Sequence, residues 1–88
     1  MGSYDIQWKK SAEQDLRNID QQQILHIINA VESLSSNPLP PQHRKLRGSE
    51  KNYRIRVGNY RVIYQVDFKT KVIIIYHIRH RKEAYKKQ

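Results

Sequence analysis

The stretch Asn52-Tyr53-Arg54-Ile55-Arg56-Val57-Gly58-Asn59-Tyr60-Arg61-Val62-Ile63-Tyr64-Gln65-Val66 decides how this chain folds. Up to Val57 apolar residues and arginines alternate with the period of a pleated strand, and from Tyr60 the alternation resumes. Gly58-Asn59 fits a two-residue hairpin turn of type II′, with glycine supplying the positive φ of its first position. Such a turn sets the register: Val57 faces Tyr60, Arg56 faces Arg61, Ile55 faces Val62, and Arg54 faces Ile63. Residues directly opposite each other share a face of the ladder. Tyr53, Ile55 and Val57 therefore line one side with Tyr60, Val62, Tyr64 and Val66, while Arg54, Arg56 and Arg61 gather on the other.

Outward from this hairpin, Asp67-Phe68-Lys69-Thr70 reads as the next turn. Lys71 to Ile78 reads as a further strand, apolar enough through Val72-Ile73-Ile74-Ile75-Tyr76 to be central. Upstream, Asn37-Pro38-Leu39-Pro40-Pro41 ends a helix and forms a loop. Before it, Ile24, Ile27, Ile28, Val31 and Leu34 or Ser35 recur at helical spacing behind a capping-box pattern, Asp20 with Gln23. Ser11 with Gln14 repeats that pattern ahead of a shorter helix carrying Ala12, Leu16 and Ile19. Tyr4 to Trp8 alternates as a first strand. The order predicts an α+β fold over residues 1–88, one domain: one N-terminal strand, a two-helix hairpin, then an antiparallel sheet meander with a short C-terminal helix or tail from Arg79.

A chain of 88 residues supports one modest core. The absence of cysteine excludes a disulfide framework and a Cys-ligated zinc site. No apolar run approaches a membrane span or a signal-peptide core, so no membrane partner and a cytoplasmic location are expected. Net charge is +9, but residues 1–43 sum to −2 and residues 44–88 to +11. So one-sided a charge suits a polyanion, because neutralised phosphates release their condensed counterions. A basic patch that docks an acidic protein is the competing reading.

Arg56 and Arg61, directly opposed, repel, and no acidic residue in the hairpin offsets them. A fold that holds this arrangement points to a polyanion as its occupant. The plainer account is three guanidiniums splayed into water. Arg79-His80-Arg81-Lys82-Glu83-Ala84-Tyr85 supplies a second basic cluster; in a helix, Arg81 and Tyr85 share a face. Guanidinium forks grip phosphate, and both groups stack on unpaired bases, chemistry suited to RNA. His26, His43, His77 and His80 are dispersed, with no carboxylate pair beside the basic face, so no metal is expected. His26 reads as structural, near the apolar stripe of its helix.

Lys45-Leu46-Arg47-Gly48, Tyr53-Arg54-Ile55-Arg56, Tyr60-Arg61-Val62-Ile63-Tyr64-Gln65-Val66 and His80-Arg81-Lys82-Glu83-Ala84-Tyr85, in this order, resemble the RelE-type toxins of the RelE/ParE superfamily, found in type II toxin–antitoxin systems. The resemblance implies the same strand, helix hairpin and antiparallel sheet. It implies a metal-independent endoribonuclease, an mRNA interferase, that cuts mRNA in the ribosomal A site and so inhibits translation. There the ribose 2′-OH attacks the adjacent phosphate, leaving a cyclic phosphate and a free 5′-OH. By position, Arg54 and Arg56 match the family's basic pair on the substrate backbone, implicated in activating the 2′-OH. Arg61 matches the arginine that stabilises the phosphorane, Arg81 the one that assists the leaving oxygen, and Tyr85 the tyrosine that stacks on the base. Lys45, Arg47 and His80 are the accompanying substrate-binding candidates. No cofactor is implied; the implied partners are a cognate antitoxin, mRNA and the ribosome.

One departure bears on mechanism. The best-studied members carry lysines where this chain has Arg54 and Arg56, and arginine keeps its proton where a desolvated lysine can lose it. Neither is therefore read as a general base; His80 or a ribosomal group is left for that role. Two alternatives stay open: a ParE-like inhibitor of DNA gyrase on the same fold, and a non-catalytic RNA- or ribosome-binding module.

Overall fold

The computed structural model describes residues 3–48 and 51–82. In it the hairpin forms as its residues dictate. Strand β3 (Asn52–Val57) pairs antiparallel with β4 (Tyr60–Asp67), matching Val57 to Tyr60, Arg56 to Arg61, Ile55 to Val62 and Arg54 to Ile63. Gly58 has φ +60 and Asn59 does not share its positive φ, which is the signature of a type II′ rather than a type I′ turn.

Around the hairpin, β1 (Asp5–Trp8), β2 (His43–Lys45) and β5 (Val72–His80) complete one sheet of order β1-β5-β4-β3-β2. Strands β2 to β5 form the antiparallel meander, and β1 joins β5 in parallel, Ile6 beside Ile73 and Trp8 beside Ile75. Two helices, α1 (Lys10–Arg17) and α2 (Gln21–Ser33), precede the meander and lie on one face of the sheet. None is long and apolar enough to cross a membrane.

The core is the junction of that face with the helices. Ile27, Val31 and Leu34, from the stripe of α2 and its C-cap, and Ala12 from α1 are fully buried with Ile55, Val62, Tyr64, Ile73 and Ile75. At about 25 cal/mol per Å² of apolar surface removed from water, this junction is the main stabilising term. Two tethers close it. Ser35 and Tyr4 exchange hydrogen bonds, tying the end of α2 to the start of β1. The Tyr64 hydroxyl donates to the Pro38 carbonyl at 2.7 Å, holding the proline loop over the sheet.

Several local expectations are corrected. Ser11 is not a cap: α1 begins at Lys10 behind Lys9, and the Ser11 hydroxyl leaves its own helix to donate to the Tyr76 carbonyl. Asp20 does cap α2 by position, but without a side-chain hydrogen bond. His26 is exposed, because the stripe on Ile27 and Val31 turns it outward. Arg79 and His80 belong to β5 rather than to a tail, and a three-residue edge strand forms at His43–Lys45.

Candidate functional site

Neither α1 nor α2 lies on the second face of the sheet, and its register collects arginines from four strands. Arg56, Arg61 and Arg79 stand in one row across β3, β4 and β5. Arg44 and Arg54 face each other across β2 and β3 in the next row, which runs on to Ile63 and His77. Arg61, in the middle of its row on the central strand, is 4% exposed, whereas Arg56 is exposed.

A bulge decides what β5 adds to this face. Ile63 pairs with His77 but Tyr64 pairs with Ile75, so Tyr76 is the extra residue. Before it, Ile73 and Ile75 point into the core; continued alternation would send His77 and Arg79 the same way. The bulge reverses the phase, so Ile78 enters the core and Arg79 joins the arginine row. Arg81 keeps that phase, and its backbone N–H donates to the Asn59 carbonyl at 2.7 Å, fastening the end of β5 to the hairpin turn.

As a result Arg56, Arg61 and Arg81 meet, with Gly58, around one cavity of about 260 Å³. Arg56 and Arg61 come from adjacent strands and Arg81 from just past the end of β5, and the three converge on a space of the right chemistry for a phosphodiester: guanidinium forks with fixed donor directions. Arg54 shares their face but does not line the cavity. Lys45 and Arg47 are exposed, and Lys45, opposite Tyr53, alternates away from the arginine face. His80 lies across the sheet from the arginines, paired with Tyr60 and in edge contact with its ring at 5.3 Å. It lines a separate cavity of about 220 Å³ with Asp15, Asn18, Ile19, Tyr60, Ile78 and Arg79. Its Nδ1 accepts from the Lys82 N–H, which leaves that nitrogen engaged. Tyr85 lies outside the described residues.

Two further arginines join this face without a local signal: Arg44, and Arg79, which the sequence places in a basic tail cluster rather than on the sheet. Arg44 needed the edge strand β2, too short to announce itself by alternation. Arg79 needed the bulge, for which the sequence carries no turn residue. Among the described residues, no three His, Cys, Asp or Glu side chains gather closely enough to hold a metal ion.

The comparisons with known proteins agree with the fold. Residues 6–85 match the family model described as the ParE toxin of the type II toxin–antitoxin system parDE. RelE1 of Methanocaldococcus jannaschii is 31% identical over 86 residues, covering 94% of this chain and 96% of that protein. A chain of the archaeal RelE–RelB complex from Pyrococcus horikoshii superposes with a TM-score of 0.80 at 30% identity, over 90% of this chain and 96% of that one. A chain of the RelBE2 toxin–antitoxin complex from Mycobacterium tuberculosis gives 0.79 at 25% identity, over 90% and 99%. With sequence and shape alike matched almost end to end, the chain belongs to the RelE/ParE superfamily of type II toxins and is of the RelE type.

Proposed function

We propose that this protein is a ribosome-dependent mRNA interferase, the toxin of a type II pair, acting in the cytoplasm on mRNA in the ribosomal A site without a metal ion. The observation that carries the reading is the convergence of Arg56, Arg61 and Arg81 on one cavity. In-line cleavage needs the ribose 2′-oxygen placed opposite the leaving 5′-oxygen, and a counter-charge for the phosphorane. The 2′-oxygen forms a bond to phosphorus while the bond from phosphorus to the 5′-oxygen breaks, giving a 2′,3′-cyclic phosphate and a 5′-hydroxyl. Arg61, central and buried, suits the phosphorane oxygens; Arg56 and Arg81, from the flanking elements, suit the two sides of the phosphodiester.

Arginines cannot accept the 2′-proton. Their placement nonetheless supports catalysis by positioning and charge stabilisation, which account for much of phosphodiester cleavage. His80 faces away from the cavity, so we assign to a ribosomal group or water both the removal of the 2′-proton and the delivery of a proton to the departing 5′-oxygen. Arg54 and Arg44, one row out, suit neighbouring backbone phosphates, and Tyr85 completes the site by stacking on a base. The cognate antitoxin is the expected partner, its acidic or amphipathic segment covering the arginine face.

Induction of the chain is expected to stop translation and to leave A-site cuts in ribosome profiles. Arg61→Ala and Arg81→Ala should each relieve toxicity, lowering cleavage by about 10²–10³-fold as for loss of one transition-state donor. The ParE description of the matching family model favours a second reading, gyrase inhibition. DNA damage with translation unimpaired would establish it and refute the nuclease.

A further inference from the structure

We infer that Ser11 and Asp15 of α1 are positioning residues that hold the Tyr76 bulge and thereby aim the Arg79–Arg81 arm at the phosphate cavity. Strand β1 ends at Trp8, opposite Ile75, so among the described residues the outer edge of β5 beyond that point has no strand beside it. An open edge presents unpaired backbone donors and acceptors. Here α1 takes the place of a strand. The Lys9 N–H donates to the Ile75 carbonyl at 2.9 Å, the Ser11 hydroxyl to the Tyr76 carbonyl at 2.6 Å, and the Ile78 N–H to Asp15 Oδ2 at 2.9 Å. Successive carbonyls at Ile75 and Tyr76 face the same edge, as a bulge requires.

The match is geometric. Four residues along a helix rise about 6 Å, and two residues along a strand about 6.7 Å. Ser11 and Asp15 can thus bracket Tyr76 and Ile78, one acting as donor and the other as acceptor. Asp15 also meets His77 Nδ1 at 3.3 Å and the Arg79 guanidinium at 3.7 Å. Without the bulge, Arg79 and Arg81 would alternate to the core side; with it, Arg81 reaches Arg56 and Arg61. Asp15 lines the separate 220 Å³ cavity and not the arginine one, so its part in the arginine site runs through what it holds on β5.

The effect on rate rests on the nuclease reading above, whereas the geometry does not. The test compares Asp15→Ala, Asp15→Asn and Ser11→Ala with the full-length wild type. It reads single-turnover cleavage on programmed ribosomes, affinity for a short oligoribonucleotide, and amide exchange at Ile78 and Arg81. Misplacement of a positioned group by about 1 Å slows chemistry by up to about 100-fold, so Asp15→Ala should cleave about 10–100-fold more slowly. RNA affinity should be unchanged or tighter, and exchange at Ile78 and Arg81 faster while Ile55 stays protected. Asp15→Asn, which keeps an acceptor for the Ile78 N–H, should recover most of the rate. Adding Asp15→Ala to Arg81→Ala should cost nothing further. Ser11→Ala, the milder change, serves if Asp15→Ala fails to fold. Full rate with unchanged exchange overturns the inference, as does a parallel loss of RNA affinity and rate. If the wild type cleaves nothing, the nuclease reading fails; faster Arg81 exchange in Asp15→Ala then still supports the positioning, and unchanged exchange refutes it.

Discussion

Arg56→Gln should make the protein more stable and less active. Arg56 is exposed and stands directly opposite Arg61, whose far side faces Arg79. Facing side chains on a ladder have Cβ atoms about 4.5–5.5 Å apart, and like charges there are destabilising within a scale of about 0.2–1 kcal/mol. Glutamine keeps a polar though shorter side chain and removes the repulsion. For a domain of this size 1 kcal/mol moves Tm by about 4–8 °C, so the expected gain is about 1–8 °C. The gain should shrink as salt rises, because the screening length falls from about 10 Å at 0.1 M to about 3 Å at 1 M. Cleavage should drop by about 10²–10³-fold, as when one preorganised donor is lost. Thermal melts at 0.05 and 1 M salt, beside single-turnover cleavage, measure both sides. A variant less stable than wild type at low salt would refute the reasoning, since the arginine row would then be held together rather than strained.

Two further outcomes concern the frame. Burial, reinforced by the neighbouring Tyr53 phenol, holds the Tyr64 hydroxyl well above the ordinary phenol range. The stability it confers is therefore present below the unfolded value near pH 10 and lost as pH rises past it. Tyr64→Phe should flatten that alkaline loss and cost about 0.5–1.5 kcal/mol at neutral pH by removing the bond to Pro38; urea titrations at pH 7 and 10.5 check both. The Asp67 carboxyl is held low by the Thr70 and then the Lys69 backbone N–H, at 3.1 and 3.0 Å. Its contribution is present above the unfolded carboxylate value of about 3.9 and lost as pH falls through the lowered folded value. The Tm difference between wild type and Asp67→Asn should accordingly narrow from pH 6 to pH 2.5, and a constant difference would remove the carboxylate from the account.

Much of this protein was legible in its residues. The alternation from Asn52 to Val66 with a glycine turn determined the hairpin, its register and the face shared by Arg54, Arg56 and Arg61, because strand period and turn geometry are local properties. The apolar stripe of α2 and the Asn37–Pro41 break were equally local. The tertiary structure decided the rest. The parallel pairing of β1 with β5 and the short edge strand β2 arise from contacts between segments distant in sequence. Above all, whether Arg79 and Arg81 face the arginines or the core turns on one extra residue at Tyr76. That bulge has no mark in the sequence: it lies in a run of apolar residues able to alternate in either phase. Its bracing comes from Ser11 and Asp15, more than sixty residues upstream, whose role as an edge for β5 exists only once the helix packs there.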